Sequence, residues 1–88
     1  MNPKLNEAVL YPLITEKAIN MIEKENKLTF IVEQGSTKPI VKKEVEDKYK
    51  VKVISVNILR DMKGRKKAVV RLGKEFKAQD LAVKLGVI

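Results

Sequence analysis

The sequence predicts an α+β fold: a small antiparallel or mixed sheet of three strands, or four, in a split β-α-β topology with helices packed on the sheet. Three observations carry this. Leu28 to Val32 and Lys67 to Leu72 alternate side chains at a period of two, and Val51 to Leu59 is a β-branched run. Between and around these lie segments whose apolar residues recur at helical spacing. The resulting order of helix, strand, helix, strand, strand, helix sets a strand–helix–strand crossover ahead of a hairpin. The third strand can then insert between the first two.

The first helix starts at Thr15, whose hydroxyl can accept an orphan backbone N–H. Glu16 suits the positive end of the helix dipole, Pro12 keeps the helix from starting earlier, and Ala18, Ile19 and Ile22 share one face. A polar break over Glu25 to Lys27 precedes the first strand, Lys27 to Glu33, with Leu28, Phe30 and Val32 on its strongly apolar side. Gly35 ends that strand. Ser36 or Thr37 can cap the second helix, and Pro39 is tolerated in its first turn. Val41, Val45 and Tyr49 make it amphipathic. The run Val51 to Leu59 reads as a central or near-central strand, with Ile54, Val56 and Ile58 on one face. Asp61 to Arg65 then turn the chain into a hairpin whose returning strand points Ala68, Val70 and Leu72 one way. A last helix, Ala78 to Leu85, buries Ala78, Leu81, Ala82 and Leu85 and stops at Gly86.

Composition narrows the function. With 44% hydrophobic and 34% charged residues in 88, the chain can hold one domain with one small core, and it is too apolar for the disordered class. No apolar run approaches the roughly 20 residues of a membrane helix, and residues 1–7 lack a signal-peptide core, so a soluble intracellular protein is expected. Cysteine and histidine are both absent, which removes disulfides, thiolate metal sites and the commonest general base. The four glycines are scattered, so no phosphate-cradling loop exists. Glu44, Glu46 and Asp47 form the densest acidic cluster, and they read as a solvated helix face rather than a metal site. No catalytic residue, metal or cofactor is expected.

The net charge of +8 is unevenly placed. Up to Thr37, four lysines meet five glutamates; from Lys38 onward, 15 basic residues meet six acidic ones. A solvated surface explains scattered charge but not this clustering. The densest cations lie at the hairpin tip, Arg60 to Lys67, where they can reach phosphates with little loss of packing. Edge protection by lysines is the plainer alternative, but it needs less charge. With two Tyr, two Phe and no Trp, stacking on an aromatic platform is not supported, and recognition would rest on shape and phosphate. Tyr11, beside Pro12 in an extended segment, either contacts RNA or protein or packs locally.

Several runs in this order carry a resemblance: Pro12-Leu13-Ile14-Thr15-Glu16-Lys17-Ala18, Thr37-Lys38-Pro39-Ile40, Tyr49-Lys50-Val51-Lys52-Val53, Val56-Asn57-Ile58-Leu59, and Gly64 through Leu72. The chain resembles the universal large-subunit ribosomal protein twenty-three family over nearly its whole length. Asp80-Leu81-Ala82 and Leu85 to Ile88 look like the archaeal and eukaryotic branch. So does the short hairpin, where bacterial members carry a long extension into the tunnel.

The resemblance implies a structural protein bound to large-subunit rRNA at the rim of the polypeptide exit tunnel, ribosome-bound in the cytoplasm. It also implies contact with the neighbouring ribosomal protein twenty-nine and a docking surface, near Glu16, for signal recognition particle or another nascent-chain factor. By charge, RNA falls to the other half. Phosphate contact is expected from Arg60, Lys63, Arg65, Lys66 and Lys67 first and from Lys38, Lys42 and Arg71 second, with Asn57 holding the strand end or a sugar hydroxyl. Neither membrane insertion nor a small-molecule substrate is expected. The competing reading is a free-standing protein-interaction module with no RNA role.

Overall fold

Each element begins or ends where local chemistry requires it. The computed structural model describes residues 8–86 and runs β1 (Val9–Pro12), α1 (Glu16–Glu25), β2 (Lys27–Val32), α2 (Lys38–Tyr49), β3 (Val53–Arg60), β4 (Lys66–Leu72), α3 (Ala78–Leu85). Thr15 caps α1, its Oγ1 accepting the Ala18 N–H at 3.1 Å. Asn26 and Lys50 end α1 and α2 in the left-handed region, and Gly86 ends α3 the same way. Thr37 rather than Ser36 holds the N-cap position of α2, and its side chain makes no capping bond.

The four strands form one sheet in the order β1-β2-β4-β3, and every neighbouring pair is antiparallel. β4 inserts between β2 and β3, as the split topology predicts. One face carries Leu28, Phe30 and Val32 of β2 with Ala68, Val70 and Leu72 of β4, all buried. Against it pack Val41 and Val45 of α2, Ala78, Leu81 and Ala82 of α3, and Ile22 of α1. Tyr49 closes one side by stacking on Phe30, with ring centroids 6.2 Å apart and planes 11° from parallel.

Four expectations need correction. The segment read as a loose start contains β1, a fourth strand paired with β2. β3 lies at the edge and not near the centre, because β4 returns through a short hairpin and takes the inner place, while β1 occupies the other side of β2. Its apolar phase also shifts: a bulge between Val53 and Ser55 buries Val53 and leaves Ile54 54% exposed, so Ile54 does not share a face with Val56 and Ile58. The acidic cluster on α2 is not a solvated face either. Glu44 is only 5% exposed, and its carboxylate accepts the backbone N–H groups of Ala8 and Val9 at 2.9 and 2.5 Å, which pins the start of β1 to α2. Glu46 accepts the Val53 N–H at 2.9 Å, and only Asp47 is left to solvent.

Candidate nucleic-acid interface

The candidate residues divide into three groups. The first lies at the hairpin end. Asp61 and Arg65 close the turn: Asp61 Oδ1 accepts the N–H groups of Lys63 and Arg65, and Arg65 Nε donates to Asp61 Oδ2 at 2.7 Å. Gly64, at φ 81°, supplies the left-handed residue this turn needs. Burial works to raise the Asp61 carboxyl, but the hydrogen bonds and charge of Arg65 outweigh it and hold the group below its ordinary value. Arg65 is in turn pushed up by Asp61 and then by the Tyr11 hydroxyl, so its guanidinium is already engaged within the fold.

The loop between β2 and α2 is stitched onto the same end. Gln34 Oε1 accepts from the Arg60 guanidinium at 2.6 Å, and Gln34 Nε2 donates to the Gly64 carbonyl at 3.2 Å. The Lys66 ammonium donates to the carbonyls of Gln34 and Ser36 at 2.8 and 2.6 Å. Lys38, the first residue of α2, follows directly after this loop, so folding adds it to the hairpin-end group. Lys63 is exposed at the tip and makes no side-chain ion pair among the described residues.

The second group lies on the sheet face opposite the core. Register places Lys67 across from Ile31 and Leu59, Val69 across from Thr29 and Asn57, and Arg71 across from Lys27 and Ser55. Lys67 and Arg71 therefore share this face along β4, with the exposed Asn57 beside them on β3. A groove of about 180 Å³ opens here against α1, lined among others by Lys17, Met21, Thr29, Asn57, Leu59 and Val69. Arg71 also borders a wider cleft of about 490 Å³ toward the α1 and α3 ends, where Lys24 and Lys77 meet Glu23 and Glu25.

The remaining two candidates lie apart. Lys42 is exposed on α2, and Glu16 is exposed at the start of α1. Leu10, Tyr11 and Ile14 near that helix start are also exposed, giving it an apolar margin.

Sequence reasoning missed Gln34 and Asn26. Nothing local marks Gln34, because its partners lie 26 to 32 residues away. Asn26 reads as part of a polar break, yet its amide donates to the carbonyls of Leu72, Gly73 and Phe76, and its Oδ1 accepts the Ala78 N–H at 2.6 Å. It thus caps α3, whose own N-cap residue Lys77 makes no capping bond. Lys17 was also passed over, because it sits in the electrically neutral half of the chain.

Among the described residues, no group of three or more acidic side chains converges as a metal site, and no helix is long and apolar enough to cross a membrane. The family model described as ribosomal protein L23 matches residues 7–86. The large ribosomal subunit protein uL23 of Pyrobaculum aerophilum is 53% identical over 76 residues, which covers 86% of this chain and 94% of that protein. The protein of the same name from Thermoplasma acidophilum is 44% identical over 81 residues, covering 92% of this chain and 95% of its own length.

Proposed function

Because the chain belongs to the ribosomal protein L23 family, and to its archaeal type, we propose that it acts as a single rRNA-binding domain at the rim of the polypeptide exit tunnel. Family members are structural, non-enzymatic components of the large ribosomal subunit, and the protein serves translation as part of that ribonucleoprotein. One observation carries the RNA reading: from Lys38 onward 15 basic residues meet six acidic ones, and seven of the basic ones, Lys38, Arg60, Lys63, Arg65, Lys66, Lys67 and Arg71, lie at the hairpin end and along β4.

Within this reading the cations take different roles. Lys66 is committed within the fold through two carbonyls and Arg65 is held at Nε by Asp61, so both position the hairpin, with the terminal nitrogens of Arg65 making no hydrogen bond among the described residues. Lys63, Lys67 and Arg71 make no hydrogen bond or ion pair through their side chains among the described residues, so they are the cations that meet phosphate. Arg60 keeps donors beyond its one bond to Gln34, and Lys38 and Lys42 add charge from α2. Asn57 offers its amide to a sugar hydroxyl or a base edge. The exposed start of α1, with Glu16 and its apolar margin, faces protein partners: ribosomal protein twenty-nine and signal recognition particle or another nascent-chain factor. The working location is ribosome-bound in the cytoplasm.

Titration of a large-subunit rRNA transcript against salt tests this reading. Neutralising about five phosphates gives a slope of log affinity on log salt of roughly −3.5 to −4.5. A flat slope would sink it, as would retention of the protein in the high-mass fraction of a cell extract after complete nuclease digestion.

A further inference from the structure

The groove between α1 and the open sheet face has a composition that phosphate contact alone does not require. Met21, Leu59 and Val69 give it apolar walls at a place where the sheet could have presented only polar residues. Two hydrogen-bonding groups sit among them without partners. The Asn57 amide is exposed and makes no hydrogen bond among the described residues. Thr29 is 4% exposed, and its Oγ1 is buried and unbonded, a state that ordinarily costs about 1–3 kcal/mol. Around the rim stand Lys17 from α1 and Lys67 from β4, with no acidic partner for either among the described residues, and Lys27, held by Glu25 at 3.2 Å.

A purely apolar occupant would leave the exposed Asn57 amide unanswered, and a phosphate alone would not use the apolar walls. A flat heterocycle with polar edges on an anionic backbone matches all three features. Single-stranded RNA is read in this way, with unstacked bases seated against side chains and hydrogen-bonded at their edges. We propose that this groove takes one unstacked nucleotide of the bound rRNA, its base between α1 and the sheet and its flanking phosphates on Lys17 and Lys67. This rests on the rRNA reading and adds a base-contacting site to it. Lys17 then contacts RNA although it belongs to the neutral half of the chain.

Two methionines allow the test to separate the two readings. Met21 lines the groove, and Met62 is fully exposed at the hairpin tip. The full chain with ¹³C-methyl methionine is titrated with a large-subunit rRNA transcript, and of its three methyl signals those of Met21 and Met62 are expected to move. Asn57→Ala should weaken binding by roughly tenfold, the size of one lost base contact, with an unchanged salt slope. It should also abolish the Met21 shift while the Met62 shift persists. Lys17→Ala should instead flatten the slope by roughly 0.7 to 0.9. If Met62 moves, Met21 stays still and Asn57→Ala binds like the parent, the groove is not a nucleotide site although the rRNA reading survives. If neither methyl moves and the transcript does not bind, both readings fall. Movement of Met21 by the RNA-free protein fraction of the subunit, and not by RNA, would assign the groove to a protein partner and overturn the proposal.

Discussion

Lys66 and Lys67 are adjacent in sequence and should fail in opposite ways when each is replaced by alanine. The Lys66 ammonium makes two charge-assisted bonds, to the carbonyls of Gln34 at 2.8 Å and Ser36 at 2.6 Å, which hold the β2–α2 loop against the hairpin. A hydrogen bond to a charged group contributes about 1.5–3 kcal/mol when well buried. Lys66 is only partly buried, so solvent screening reduces the pair to about 1–2 kcal/mol in all. For a domain of this size that lowers Tm by roughly 5–15 °C. Lys67 holds no such partner and lies on the open face, so Lys67→Ala should change stability by no more than about 0.5 kcal/mol. Its loss should appear in RNA binding. Removing one phosphate contact flattens the salt slope by roughly 0.7 to 0.9 and weakens binding at 0.1 M salt by about five- to eightfold. Thermal melts and a salt-series filter assay on the two variants measure both quantities. Equal Tm for the two variants, or an equal change of slope, would refute the division of the hairpin cations into positioning and phosphate-contacting groups.

Three further outcomes follow from particular contacts. Asn26→Gly removes the cap on the Ala78 N–H and the donor to Phe76 and should cost about 2 kcal/mol in urea denaturation. Asn26→Ala should cost about 1 kcal/mol more, since alanine must also adopt φ 57°; equal losses would show that the backbone conformation is not a separate cost. For Asp61, whose carboxyl Arg65 holds below 3.8, the contribution to stability is present above the unfolded value and is lost as pH falls through the lower folded one. A carboxyl ¹³C titration should therefore find a midpoint below 3.8 that rises in Arg65→Ala, and a midpoint at or above 3.8 in the parent would contradict the ion pair. Burial and then the Glu44 charge raise the Tyr49 phenol, so Glu44→Gln should lower its ultraviolet titration midpoint while leaving it above 10.0. The same variant should lose about 1–3 kcal/mol, because one amide oxygen replaces a carboxylate that accepts from both Ala8 and Val9.

Much of the architecture was legible because local and global signals agree. The Thr15 cap, the alternation in β2 and β4, the turn at Asp61 to Arg65 and the stop at Gly86 each depend on a few neighbouring residues. β1 was not legible: Val9-Leu10-Tyr11-Pro12 is only four residues long, ends on proline and owes its place to Glu44, 35 residues away. The position of β3 was misread because its apolar residues exceed what one buried face needs. Ile54 and Leu59 remain largely exposed, and no periodicity distinguishes surplus apolar surface from a second buried face. For the candidate interface, charge density located the hairpin but could not say which cations the fold had already engaged. That depended on Gln34 and Ser36, which reach Arg60 and Lys66 only in three dimensions.

The insertion of β4 between β2 and β3 also sets an order of events during synthesis. β2 meets β1 and α1 early, but its other hydrogen-bonding edge stays open until residues 66–72 have left the ribosome that is making them. Until then an emerging chain carries Leu28, Phe30 and Val32 on a strand with half its backbone partners missing, a state prone to pairing with the wrong neighbour. A protein built this way gains most of its solubility in the final stretch of translation, so a truncation before residue 72 should aggregate rather than yield a smaller folded fragment.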